Sequence, residues 1–164
     1  MGLKESGLRG SLRSVSTGVG VTPDSVTSRP EDNNTTTGDF QAGFEISLTS
    51  DWPSIAARIS QNTSGQTTAY LREDDDTLID SQDISALSAG DTFSFDGVNL
   101  SSGQNYFITI DAGGSDYTLG INNDVEYPFE GDDLDIVARY FDGDTDTTNV
   151  INLNDIGNPD GVLS

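Results

Sequence analysis

Apolar residues in this chain recur at every second position, in short runs broken by Gly, Asn, Asp, Ser and Pro. That spacing suits an extended strand with one face in a core and the other in water. The clearest stretch is Asp91 to Asp111, DTFSFDGVNLSSGQNYFITID. Phe93 and Phe95 alternate with Thr92 and Ser94, and Tyr106, Ile108 and Ile110 alternate with Phe107, Thr109 and Asp111. Between the two runs, Asn99, Ser101, Ser102 and Gly103 supply turn chemistry. The two runs are expected to pair, with the remaining strands stacked on them.

Further runs follow the same rule. Phe40 to Leu48, Ile55 to Ser60, Thr67 to Arg72, Thr77 to Ser81, Asp116 to Ile121, Leu134 to Tyr140 and Thr148 to Leu153 each read as a strand. Thr67–Arg72 and Thr77–Ser81 read as a hairpin with an acidic tip, Glu73 to Asp76. Pro53 is expected in a turn, because it cannot donate to a central ladder. Residues 122–133 read as a polar loop, and Phe141 to Thr147 as an acidic turn. Leu134, Ile136, Ala138 and Tyr140 are expected on one face. Short strands spaced about 8–12 residues apart, without a long helical period, predict an all-β fold. The expectation is an antiparallel β-sandwich, jelly-roll-like, of about 8–9 strands.

The 164 residues include no Cys and no His. Disulfides and thiolate zinc sites are excluded, as are Ser-His-Asp and Cys-His catalysis within one chain. The formal net charge is -21, from 7 basic and 28 acidic residues. Only six of the acids are Glu, and Lys4 is the only lysine. An Asp-rich, Lys-poor surface suits very high salt, where the Debye length falls to about 3 Å and self-repulsion is screened. Nucleic-acid binding is disfavoured for want of a basic patch. No run of about 18 apolar residues is present to span a membrane. The first residues also lack the apolar core of a secretory signal.

Residues 1–37 read as an N-terminal attachment arm and 38–164 as the sandwich domain. The arm is rich in Ser, Thr, Gly and Asn, too polar to fold by its own burial. Its first twenty residues hold Lys4, Arg9 and Arg13 against Glu5, a net of +2. The remainder therefore carries -23, since the whole chain carries -21. Leu3, Leu8 and Leu12 are spaced about one helical turn apart, so Leu3, Lys4, Leu8, Arg9, Leu12 and Arg13 are the expected attachment residues. Open sheet edges and such arms suit a cyclic homo-oligomer.

Asp142, Asp144 and Asp146 form D-x-D-x-D and are the candidate ligands for Ca²⁺, which takes six to eight oxygens. An EF-hand is excluded, because Thr147 and Leu153 stand where Gly and Glu are required. Glu73 to Asp76 carries the same reading more weakly. Trp52 and Tyr127 lie beside Pro in expected loops and are the candidate glycan-contacting platform. Carboxylate pairs of glycosidase spacing arise by chance among so many acids. No catalytic set stands out, and a non-enzymatic role is expected.

The stretch DISALSAGDTFSFDGVNLSSGQNYFITIDAGGSDYTLG is similar to β-sandwich modules on surface and viral proteins of haloarchaea. The opening GLKESGLRGSLRSVSTGV resembles the N-terminus of structural proteins from haloarchaeal tailed viruses and proviruses. The resemblance implies a structural component on the virion exterior, either a capsid turret or decoration protein or a tail or spike subunit. Its implied partners are other virion proteins, copies of itself and host surface glycans. The alternative is a secreted haloarchaeal carbohydrate- or calcium-binding module.

Overall fold

The computed structural model of the chain describes residues 25–27, 34–61, 63–122, 127–142, 144–146, 149–151, 153–159 and 162. Among the described residues the chain is built from strands: β1 (Ser25–Thr27), β2 (Asn34–Gly38), β3 (Ala42–Leu48), β4 (Trp52–Ile59), β5 (Thr68–Glu73), β6 (Leu78–Asp83) and β7 (Thr92–Leu100). Then come β8 (Asn105–Asp111), β9 (Tyr117–Asn122), β10 (Phe129–Glu130), β11 (Leu134–Phe141), β12 (Asp144–Asp146), β13 (Asn149–Ile151) and β14 (Leu153–Gly157). They form one sheet of order β1-β14-β4-β7 and a larger one of order β10-β11-β3-β8-β5-β6, in which β12 also pairs with β11. A third, small sheet has the order β13-β9-β2.

The pairing is nested. β5 pairs with β6, β4 with β7, β3 with β8 and β1 with β14, all antiparallel. This is one long two-stranded ribbon, closed at its tip by the β5–β6 turn. Successive pairs alternate between the two main sheets, so the ribbon folds back on itself. Contacts of β14 with β4, and of β8 with β5, seal each sheet sideways. The residues between β8 and β14 extend the larger sheet through β11 and complete the small one.

Folding the ribbon turns one face of each strand toward the other sheet. Phe44, Ile46 and Leu48 of β3 meet Ile55, Ala57 and Ile59 of β4, with Phe93, Phe95, Ile108, Ile110, Leu134, Ile136, Leu153 and Ile156 in the same buried cluster. Each fully buried side chain of this size stabilises the fold by about 1.5–3 kcal/mol. The all-β sandwich expected from the alternation is therefore the observed architecture, and the expected β5–β6 hairpin is present.

Four local expectations are corrected. β7 and β8 do not pair with each other: β7 pairs with β4, and β8 with β3 and β5. The turn between them crosses the sandwich, tied to β3 by Gly103 N–H on the Leu48 carbonyl (2.7 Å). Both strands still face one core, so their alternation is the same in either arrangement. Pro53 lies inside β4, where the register shifts between Trp52 and Ser54 and no ladder donor is missed. Within residues 1–37, β1 pairs with β14 and β2 with β9. The polar loop holds β10, and the acidic turn holds β12, both paired with β11. Lastly, β11 carries a bulge between Ile136 and Ala138. Ile136 lies opposite the inward Ile46, but Ala138 and Tyr140 lie opposite Glu45 and Gly43 on the outward side. The extra residue rotates the rest of the strand by one face.

Candidate functional site

The bulge creates the most elaborate surface of the described residues, on the outward face of the larger sheet. One cross-strand row reads Tyr140, Gly43, Thr109, Tyr70, and the next reads Ala138, Glu45, Phe107, Arg72. β8 is the central strand here and is covered on both sides: Tyr106 to Ile110 are all buried. The Phe107 and Tyr140 rings pack at 4.9 Å across β3. Gly43 lies between their strands. A Cβ there would collide with the Ile108 carbonyl oxygen and lie 2.6 Å from the Thr109 Cα. The Arg72 guanidinium lies 5.0 Å from the Tyr70 ring centroid, a cation–π geometry. Its Nη1 donates to the Asp76 carbonyl (3.3 Å) and its Nε stands 3.7 Å from the Asp76 carboxylate. Gln41 Nε2 donates to Thr109 Oγ1 at 3.1 Å, and Asn105 Nδ2 to Glu45 Oε1 at 2.8 Å.

The electrostatics follow from this packing. Burial raises the Tyr140 phenol pKa above its ordinary value, with the Asp76 carboxylate adding to the rise and Arg72 opposing it. Burial also raises Tyr70, followed by the Asp111 carboxylate. Both phenols therefore stay neutral donors near pH 7. The face is a closed layer of rings and a guanidinium, edged by acids. Phe107, Thr109, Ala138 and Tyr140 are themselves buried, and the half-buried Glu45, Tyr70 and Arg72 are what it presents to solvent.

The expected site residues fall elsewhere. Trp52 is 1% exposed, so it offers no platform. The bulge at the start of β4 leaves Pro53 exposed and turns the indole inward, where Nε1 donates to Ser50 Oγ (3.1 Å). Tyr127 is half-buried, its ring 5.1 Å from Phe129 and 6.3 Å from Phe44. The other tyrosines are also engaged: Tyr106 accepts from Ser101 N (2.8 Å), and Tyr117 donates to the Ile110 carbonyl (3.2 Å).

The three aspartates are not an open loop. Asp142 has a positive φ of 48° and its Oδ1 accepts from Gln41 N at 2.7 Å. Asp144 and Asp146 are in strand β12, opposite Phe141 and Arg139. No group of three or more His, Cys, Asp or Glu among the described residues could hold a metal ion. At the acidic tip, Glu73 and Asp74 share a cavity of about 290 Å³ with Ser101, Gln104, Asn105 and Tyr106. Leu3, Lys4, Leu8, Arg9, Leu12 and Arg13 lie outside the described residues. No helix among the described residues is long and apolar enough to cross a membrane.

Alternation could not reveal the outward cluster, because Phe107 and Tyr140 share a face only through the bulge. One usable signal was β8 itself, whose unbroken apolar run Tyr106-Phe107-Ile108 marks a strand covered on both sides. Set against known proteins, the chain matches no family model, no curated protein and no solved structure.

Proposed function

We propose that this chain is a non-enzymatic structural subunit that docks through a basic leader and displays an acidic jelly-roll body. Its setting on this reading is the high-salt exterior of a virion, as a turret, decoration, tail or spike component. The jelly-roll reading rests on the nested ribbon, whose four pairs alternate between two sheets.

One observation carries the docking reading: where the positive charge is committed. Among the described residues the cations are Arg58, Arg72 and Arg139, all half-buried. Arg58 Nε donates to Asp155 Oδ2 (2.8 Å), its Nη1 to the Gly90 carbonyl (3.3 Å) and its Nη2 to the Val162 carbonyl (2.6 Å). Arg72 is held by Tyr70 and Asp76, and Arg139 lies over the Phe141 ring at 5.3 Å. The body's outer surface is thus left to its acids, and two such bodies repel each other. Lys4, Arg9, Arg13 and Arg29, outside the described residues, are the other cations of the chain, and on this reading they meet an acidic neighbour. They precede or adjoin β1, the edge strand of its sheet.

Light scattering on the full chain in molar KCl tests this. A homo-oligomer is expected, and the full-length triple variant K4E/R9E/R13E should be monomeric. A monomeric parent chain, or a variant that assembles as the parent does, would refute docking through the leader.

A further inference from the structure

We infer that the side of the sandwich bounded by β6 and β7 is a latent strand-pairing surface for a second copy of the chain, held closed by the side chains of Asp80 and Gln82. This inference does not rest on docking through the leader; it concerns what the body does when two copies meet.

β6 and β7 are each the end strand of a sheet, with one hydrogen-bonded neighbour apiece. An end strand carries a row of backbone N–H and C=O groups with no partner in its own sheet, a template for another chain. In β7 that row is marked by Ser94, which lies opposite Ala56 of β4 while its carbonyl accepts from Gln82 Nε2 of β6. Alternate residues of an antiparallel strand point their backbone groups the same way, so Thr92 and Asp96 face the open side with Ser94. The run Thr92-Phe93-Ser94-Phe95 is β-branched and aromatic and holds no Pro, a composition suited to pairing.

The residues that meet this row are out of pattern. Asp80 lies opposite Leu71, and Gln82 opposite Ala69. Leu71 and Ala69 belong to the buried core, and cross-strand partners share a side of the sheet. Asp80 and Gln82 are therefore on the inner side, where alternation calls for apolar residues. Both are half-buried. Ile84 N donates to the Thr67 carbonyl (2.8 Å), so by alternation Gln82 and Asp80 bond to β5 through their backbones and Ser81 faces the open side. Asp80 Oδ1 accepts from Ser81 N at 2.8 Å. One strand thus caps an edge donor of its own and an edge acceptor of β7. Inward polar side chains on an end strand are one way a sheet refuses an added strand.

Charge alone does not keep the surface closed. Asp91 and Asp96 flank the row and are exposed. Their repulsion reaches about 10 Å in 0.1 M salt but only about 3 Å in molar salt. The caps act by occupying backbone groups, so they hold at either salt concentration.

The test compares full chains that all carry K4E/R9E/R13E, so that leader docking adds no mass to the comparison. Asp80→Val combined with Gln82→Val restores apolar residues at the two inward positions and uncaps both strands. In molar KCl, light scattering should give this variant at least about twice the mass of the chain with K4E/R9E/R13E alone, as two-fold pairing requires. Hydrogen exchange should place the contact, with the Thr92, Ser94 and Asp96 amides exchanging about tenfold or more slowly than without the two valines. An unchanged mass in a folded variant, or added mass without slower exchange at those three amides, would overturn the assignment. If the double substitution fails to fold, Gln82→Ala, a truncation at a half-buried position, is measured in the same two ways and decides by the same outcomes.

Discussion

Trp52 sits at the start of β4 with its indole in the core and its N–H on Ser50. Trp52→Ala removes the largest fully buried side chain and leaves a cavity, so a loss of about 3–5 kcal/mol is expected. A lower urea midpoint at unchanged slope would register it. Gly43 presents the opposite problem. Any side chain there drives into β8, so Gly43→Val should cost at least about 1–3 kcal/mol as overpacking. It should also separate the Phe107 and Tyr140 rings, which near-ultraviolet circular dichroism reads. Tyr140 adds a pH dependence. Its phenol pKa is raised, first by burial and then by Asp76, from an ordinary value of 10.0. The folded protein therefore keeps this proton at a pH where the unfolded chain has lost it. The resulting stability is intact below about pH 10 and is lost as pH rises through the folded pKa. Urea midpoints should fall above about pH 10, and Tyr140→Phe should flatten that fall.

Among the elements, β4 and β14 are pinned by Arg58. Its guanidinium reaches Asp155 on β14, the Gly90 carbonyl before β7 and the Val162 carbonyl beyond β14. One planar fork thus ties three separate segments, which a single ammonium cannot copy. Arg58→Met should cost about 2–3 kcal/mol, through loss of these three hydrogen bonds, and Arg58→Lys should recover less than half of it. Hydrogen exchange should reveal β14 as the strand that opens first in both variants. β11 teaches a different lesson. Leu134, Ile136, Ala138 and Tyr140 alternate without a break in the sequence, yet Val137 is accommodated as a bulge and the second half faces outward. A bulge is a property of two strands in register, and no single run of residues contains that information. The same holds for β7 and β8. Their apolar positions were legible, but their partners were set by which strands the folded ribbon brought alongside.

At the scale of the molecule, charge and topology act together. With a net charge of -21 and its described arginines half-buried, the chain carries unscreened repulsion at low salt. Raising KCl from about 0.1 M to about 1 M shortens the Debye length from about 10 Å to about 3 Å. The urea midpoint should rise steeply over that range and little beyond it, while a flat profile would mean that self-repulsion is not limiting. The nested ribbon also bears on folding. Its closing pair, β1 with β14, joins the two ends of the described chain, so it closes the longest loop and is expected to form late.

The sequence by itself determined the fold class, the exclusion of His- and Cys-based chemistry, and the imbalance of charge between leader and body. These depend on residue type and on spacing along one strand, which physical chemistry reads locally. Only the tertiary structure decided that Trp52 is core, that Tyr140 meets Phe107 on the outer face, and that Arg58 ties β4 to β14. Each of these depends on which strands become neighbours and in what register, and no segment of chain carries that relation until another segment lies against it.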